Sequence, residues 1–141
     1  MKISLDCDIR ATLDKVSSQM RRNYSESLRE LNLYVGQDNL LNRLWLGDGI
    51  TQMQLCEHLK CEPSTVSNMV KSLEQNGFIY RKRDDEDARV MRIFLTDNGK
   101  ELEIPVKLKW KQHQDNLLHS ITPEERIILK DLLKRMEKNL L

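Results

Sequence analysis

The sequence has almost no excess of charge of either sign. Its 23 lysines and arginines are balanced by 22 acidic residues, so the formal net charge is +1. The bulk charge therefore does not indicate a nucleic-acid partner, and any signal for one has to come from local placement of charge. Aromatic residues make up only 5% of the 141 residues, and apolar content is enough for a small core of one domain.

Long apolar runs are also missing. No stretch approaches the roughly 18 apolar residues that suggest a transmembrane helix. The first ten residues, MKISLDCDIR, include acids and no apolar segment, unlike a secretion signal. We therefore expect a cytoplasmic protein with no membrane role.

Cysteine and histidine are too few for most site chemistries. Three cysteines are an odd number in a reducing compartment, so a disulfide framework is not expected. Cys56, His58 and Cys61 lie close in sequence, but on one helix the two sulfurs would point apart and a fourth metal ligand is missing. No glycine-rich phosphate loop or Ser/His/Asp spacing is present. We therefore expect no metal, no cofactor and no enzyme.

The clearest pattern lies between Glu62 and Thr96. Pro63 stands where a first helical turn accepts proline, and Gly77 stands where a left-handed C-cap favours glycine. Between them, two different faces follow helical spacing. The apolar face comprises Val66, Met69, Val70 and Leu73, and the polar face comprises Ser64, Thr65, Ser67, Asn68 and Lys71.

The period changes from helix to strand after this helix. Residues 91–95 alternate between the two faces of a half-buried strand, and residues 79–83 are its expected partner. A charged tip between them carries Arg89. A polar-faced helix followed by a two-stranded hairpin predicts a winged helix. Such a helix fits the major groove of B-DNA, and an arginine on the wing can enter the narrow, negative minor groove.

Helical spacing also covers the chain before this stretch. Asp6 or Asp8 is expected to cap a long first helix that continues through Leu31, and a second helix is expected at residues 37–46. A short third helix starts at a capping box and leads to about residue 59. The box comprises Thr51 and Gln54, and the expected buried residues are Met53, Leu55 and Leu59.

The C-terminal part predicts two further helices. Thr96 is expected to cap one that reaches residue 117 or 118 and that Pro105 bends or breaks. Thr122-Pro123-Glu124-Glu125 starts the last helix. Both ends of the chain are rich in leucine with little chain left to cover them, which predicts an intertwined dimer. Two-fold symmetry would place the recognition helices roughly 34 Å apart on a pseudo-palindromic site.

The predicted fold class is mostly α with a small β-hairpin wing. Residues 1–34 form an N-terminal dimerisation helix, residues 35–99 a winged helix-turn-helix lobe, and residues 100–141 the C-terminal dimerisation helices of one intertwined domain. Three segments of the sequence follow a family pattern: Pro63-Ser64-Thr65-Val66-Ser67, Leu73-Glu74-x-x-Gly77-Phe78-Ile79 and the wing sequence RKRDDEDARVMRIFLTDNG. These segments resemble the MarR family of bacterial transcriptional regulators.

The resemblance implies a homodimeric regulator of double-stranded DNA and assigns roles to individual residues. Arg89 would enter the minor groove, Asp87 would support the wing through a salt bridge, and Lys71 would reach the DNA backbone. The residues expected to face base edges or phosphates are Ser64, Thr65, Ser67 and Asn68.

Regulation leaves alternatives open. Many members of the family bind small phenolic or lipophilic effectors, and the aromatic candidates here are Tyr34, Trp45, Trp110 and His113, for which core filling is the competing role. Some members sense peroxide through a cysteine, and Cys7 is the candidate, although it stands between two acids, Asp6 and Asp8, whose charge disfavours a reactive thiolate. A repressor released by an effector is the favoured function. A winged helix that binds only proteins is the alternative from another class.

Overall fold

The computed structural model describes residues 4–141, in which helices predominate and three short strands form one sheet. It separates into two compact units, one reaching Lys109 and the other beginning at Trp110. No helix among the described residues combines the length and the apolarity that a bilayer span requires. The elements are α1 (Leu5–Arg29), α2 (Gln37–Leu46), β1 (Ile50–Thr51), α3 (Gln52–Leu59), α4 (Pro63–Gln75), β2 (Ile79–Arg83), β3 (Met91–Leu95), α5 (Asp97–Glu101), α6 (Glu103–Leu117) and α7 (Pro123–Asn139). The predicted fold class is confirmed.

Local capping signals define most helix starts. Thr51 and Thr122 both form the predicted capping boxes. In each, the threonine hydroxyl accepts from the amide of the third helical residue, and the side chain of that residue, Gln54 or Glu125, accepts from the threonine amide. The predicted cap of α1 is wrong. Ser4 Oγ accepts from the amide of Cys7 at 3.2 Å, whereas Asp6 and Asp8 lie inside the first turn, where carboxylates favour the positive helix end.

The core of the first unit lies between α2, α3, α4 and the sheet. Three of the four residues on the apolar face of α4, Val66, Val70 and Leu73, are 0% exposed, and Met69 is half-buried. The predicted burial of Met53 is wrong: its side chain is 74% exposed, and Leu55 alone of α3 reaches the core. The other buried apolar residues of this unit are Leu28, Leu33, Leu40, Leu41, Leu44, Ile79, Ile93, Leu95 and Val106.

The sheet has a third strand that the sequence pattern did not reveal. Its order is β1-β3-β2, and both neighbouring pairs are antiparallel. In the segment before α3, Gly49 donates its amide to the carbonyl of Ile93 at 2.7 Å. Asp48 Oδ2 accepts from the amide of Leu95 at 2.9 Å. The wing is therefore attached to the segment that leads into the helix-turn-helix.

The predicted fifth helix is divided in two. Thr96 caps α5 as expected, with its hydroxyl accepting from the Gly99 amide at 3.1 Å. The interruption falls at Leu102 rather than at Pro105. Pro105 is the third residue of α6, and at this position in the first turn the missing N–H of proline sacrifices no intrahelical hydrogen bond.

Two helices carry large apolar side chains that the chain itself leaves exposed. In α1 the stripe formed by Leu5, Ile9, Leu13, Val16 and Met20 is between 39% and 73% exposed. In the second unit, α7 has no buried residue at all. Its exposed apolar residues are Ile127, Ile128, Leu132, Leu133, Met136 and Leu140.

Candidate nucleic-acid interface

The orientation of α4 is set by its buried face. The preceding helix is followed by its C-cap Lys60, whose φ of 52° places it in the left-handed region, and Pro63 begins α4 three residues later. Because the apolar side of α4 packs into the core, its polar side is turned outward. Ser64, Thr65, Asn68 and Lys71 are exposed, and Ser67 is half-buried.

The far end of α4 is held by backbone and side-chain bonds. Gly77, at φ 77°, donates its amide to Glu74 O, and Phe78 donates to Leu73 O, each at 3.0 Å. These two bonds form a Schellman motif, which requires the left-handed conformation that glycine adopts readily. Glu74 also pairs with Arg81 of β2 at 3.0 Å, and this hydrogen bond holds the pKa of the Glu74 carboxyl below its ordinary value. Helix α4 and the wing are therefore joined directly.

Arg89 lies on the tip between β2 and β3. Its side chain is 90% exposed, and its guanidinium forms two bonds with Asp87, from Nε at 3.1 Å and from Nη2 at 3.2 Å. The hydrogen bond from Arg89 lowers the pKa of the Asp87 carboxyl below its ordinary value. The salt bridge expected between the two residues is present, although its part in DNA binding stays a prediction.

The acidic residues of the tip are not equivalent. Asp84 Oδ1 accepts from Arg92 Nε at 2.7 Å, whereas Asp85 and Glu86 are exposed. Unpaired acidic side chains on a wing are repelled by the phosphates of DNA. Asp84 is instead a neutralised part of the hairpin, since its charge is paired with Arg92 across the base of the tip.

The four aromatic candidates for an effector site have different surroundings. Tyr34 is 63% exposed, whereas Trp45 is half-buried and donates from Nε1 to the carbonyl of Gly99 at 3.0 Å. Trp110 and His113 belong to the second unit, and both are half-buried. A groove of about 380 Å³ in that unit includes none of the four. Its lining residues are Leu118, Arg126, Leu129, Lys130, Leu133, Lys134 and Glu137.

The three cysteines are free. Cys7 is exposed in the first turn of α1, and Cys56 and Cys61 are half-buried around the end of α3. Across residues 4–141, no three His, Cys, Asp or Glu side chains are grouped as a metal ion would need. A sensing role for Cys7 stays a prediction.

The arrangement defines a class of protein: a winged helix-turn-helix with an outward polar recognition helix and an arginine on the wing. The MarR family model matches residues 33–91. An uncharacterized HTH-type transcriptional regulator of Bacillus subtilis, YybA, is 30% identical over 112 residues, which cover 79% of this chain and 75% of that protein. The chain therefore belongs to the MarR family and is a helix-turn-helix transcriptional regulator.

Solved structures agree with this assignment. The transcriptional regulator SlyA has a TM-score of 0.78 and 28% identity, with 94% of each chain covered. A point mutant of MepR from S. aureus, bound to an oligodeoxyribonucleotide, has a TM-score of 0.63 and 25% identity, with 99% of this chain and 100% of that chain covered. The fold is thus one that holds DNA in a relative.

Proposed function

We propose that this protein is a homodimeric repressor that binds a pseudo-palindromic site in double-stranded DNA and is released by a small aromatic or lipophilic effector. The observation that carries the DNA-binding part is the polar face of α4, held outward by the burial of Val66, Val70 and Leu73 and accompanied by the exposed Arg89. The DNA-bound MepR structure supports the same use of the fold.

The recognition helix would supply hydrogen bonds rather than charge. Ser64, Thr65, Ser67 and Asn68 have short side chains that donate to or accept from base edges and phosphates once α4 lies in the major groove. Lys71 is exposed farther along the same helix and would contact the phosphate backbone. A helix chosen only for solubility would not need four small residues of modest helix propensity in its first half.

Arg89 would act in the neighbouring minor groove. Its guanidinium extends from the tip with little burial, and the negative potential of a narrow minor groove attracts such a group. The net charge of the chain is only +1, so affinity would depend on this local cation and on the polar contacts of α4. A weaker salt dependence than that of a strongly basic DNA-binding protein follows.

The dimer is proposed from the exposed apolar stripes of α1 and α7. A large apolar side chain is stabilised by about 1.5–3 kcal/mol when it is fully buried, so leaving both stripes in water is unfavourable. A second copy offers the same stripes, and a two-fold interface allows each to be covered by its symmetric equivalent. In this assignment, residues 1–34 and 100–141 dimerise and residues 35–99 bind DNA.

Release would follow from a change in the dimer. An effector that binds one arrangement of the two lobes better than another shifts the population toward it, and recognition helices at a different spacing no longer fit both half-sites. Tyr34, Trp45, Trp110 and His113 are the residues proposed to contact the effector.

Selection of bound sequences from random duplex DNA tests the proposal. We expect a pseudo-palindrome with half-sites about one helical turn apart. Against the selected duplex, Arg89→Ala should weaken binding by about 1–3 kcal/mol. Lys82→Ala removes one exposed positive charge from the same wing and serves as the matched control. If both variants lost the same binding free energy, Arg89 would act only as a positive charge and not as a specific contact to the minor groove. If no sequence were enriched from the random pool, a protein-interaction module would be favoured.

A further inference from the structure

We propose that Asp84 and Arg92 form a clamp that positions Arg89 for DNA, with neither residue itself contacting the DNA. The clamp is defined as these two side chains together with the backbone groups that they bind. The inference rests on the proposed function, because it assigns to this pair a part in the use of the wing. The experiment below distinguishes a failure of the clamp from a failure of the proposed function.

One carboxylate holds both the strand and the turn. Asp84 Oδ1 accepts from Arg92 Nε at 2.7 Å, while Oδ2 accepts from the amides of Glu86 at 3.2 Å and Asp87 at 3.0 Å. Asp87 is the residue whose carboxylate binds the Arg89 guanidinium. The Asp84 side chain therefore fixes the backbone of the residue that orients Arg89.

The clamp also reaches the other side of the sheet. Arg92 Nη1 donates to the carbonyl of Gly49 at 2.8 Å, and the Gly49 amide donates to the carbonyl of Ile93 at 2.7 Å. Arg92 also faces Thr51 in the strand register, and Thr51 is the N-cap of α3. The tip is thus held in position relative to the start of the helix-turn-helix as well as by its own hairpin.

The tip needs such a device because it has no core. None of residues 84–90 is buried, so apolar packing cannot restrict them. Fixing a residue's backbone costs conformational entropy, and a mobile tip would have to meet that cost when it binds. A tip held in place beforehand avoids much of this loss.

Arg92 is better suited to holding the tip than to touching DNA. Its Nε and Nη1 atoms are both engaged within the protein, and its side chain is 39% exposed, compared with 90% for Arg89. An ordinary exposed ion pair contributes little to stability. Here the pair is joined to three backbone groups, so its main effect is on the geometry of the tip.

The remaining hairpin bonds allow the clamp to be removed without dissolving the wing. The Asp84 amide donates to Val90 O at 2.8 Å, and Arg83 Nη1 donates to Ala88 O at 2.7 Å. These bonds are independent of the Arg92 side chain. Arg92→Gln should therefore keep β2 and β3 paired while the tip becomes more mobile.

A double-mutant cycle on the duplex selected from random DNA tests the clamp. Arg92→Gln should weaken binding about 5- to 10-fold when Arg89 is present, and should cause little further loss in the Arg89→Ala background, because a positioning residue acts through the residue that it positions. Arg81→Gln is the control: it breaks the pair with Glu74 on the same hairpin, and its effect should add independently to that of Arg89→Ala.

A second readout needs no DNA. Backbone amide order parameters measured by NMR for residues 85–89 should fall below about 0.6 in Arg92→Gln. In Arg81→Gln they should stay at about 0.85, the value of a rigid backbone. Asp84→Asn is the milder variant, since it keeps an oxygen for the turn amides and loses the charge that binds Arg92.

The outcomes are distinct. Equal losses from Arg92→Gln in both backgrounds, or an unchanged tip in the NMR measurement, would overturn the clamp. Unchanged affinity after Arg89→Ala would instead remove the wing from the proposed function, while the NMR result would still decide whether Asp84 and Arg92 order the tip.

Discussion

Helices α1 and α4 carry the same kind of apolar stripe and use it differently. In α4, Val66, Val70 and Leu73 are completely buried. In α1, the stripe from Leu5 to Met20 is at least 39% exposed at each position. Helical periodicity therefore identifies an amphipathic helix, but it does not say whether the apolar face is covered by the same chain or by another one.

The two helices differ in what surrounds them. The buried face of α4 meets α3 and β2 within the first unit, so the fold of one chain completes it. In α1 only Leu28, close to the C-terminal end, is buried. The first helix is thus anchored at one end in the winged-helix core, while the rest of its apolar stripe is exposed.

Breaking the covered stripe should have the largest effect. Leu73→Ala removes a fully buried side chain from α4, and we expect the free energy of unfolding to fall by about 2–5 kcal/mol. Urea denaturation followed by circular dichroism measures this change. Because the contact is within one chain, the loss should persist in a variant that has been made monomeric.

Asn68→Ala is the control for that experiment. Asn68 lies on the exposed side of the same helix, and its replacement should change stability by no more than about 0.5 kcal/mol while weakening DNA binding. If Asn68→Ala destabilised the fold as much as Leu73→Ala, the division of α4 into a core face and a DNA face would be wrong.

Local signals explain why much of the fold was predictable. Pro63, Gly77 and the Thr51 and Thr122 capping boxes act within a few residues of themselves, so their chemistry can be read from adjacent positions. The errors have the same origin. Met53 satisfies a helical pattern, yet it lies in the first turn of α3 and points to solvent, and β1 has only two residues, too short to show any alternation.

The candidate site was predictable only in part for a related reason. Arg89 and the polar face of α4 follow from the type and spacing of residues within one element. The Asp84–Arg92 pair joins residues eight apart, and Arg92 also reaches Gly49, which is 43 residues away. No local pattern encodes such contacts, since they depend on how β3 pairs with β2 on one side and with β1 on the other.

The anchored end of α1 should respond next most strongly. The Tyr24 hydroxyl donates to Asp38, which is 1% exposed and also accepts from the Gly36 amide at 3.0 Å. Tyr24→Phe removes one donor to a buried carboxylate, and we expect a loss of about 1–2 kcal/mol in unfolding free energy. Tyr34→Phe alters an exposed tyrosine of the same unit and should be close to neutral.

The same contact predicts a pH dependence. Burial and the hydrogen bond to Asp38 raise the pKa of the Tyr24 phenol above its ordinary value. A group whose pKa is raised by folding contributes stability below its unfolded pKa and loses it as pH rises from there, which for tyrosine begins near pH ~10. Wild-type protein should therefore lose stability more steeply than Tyr24→Phe above that pH. Parallel curves in urea titrations would contradict the buried hydrogen bond.

The free end of α1 should give the smallest effect, and an effect on assembly only. Leu13 is 40% exposed, so completing its burial in a dimer contributes about 1 kcal/mol per protomer. Leu13→Ala should thus raise the dimer dissociation constant by about tenfold or more, because both protomers lose the contact. Analytical ultracentrifugation across a dilution series measures this change, and Ser18→Ala, on another side of the same helix, is the control.

The unfolding of the isolated chain should hardly change, since the exposed side chain has few contacts to lose. A large loss of monomer stability, with no change in association, would mean that the stripe of α1 is covered by its own chain and that the contrast with α4 is only one of degree.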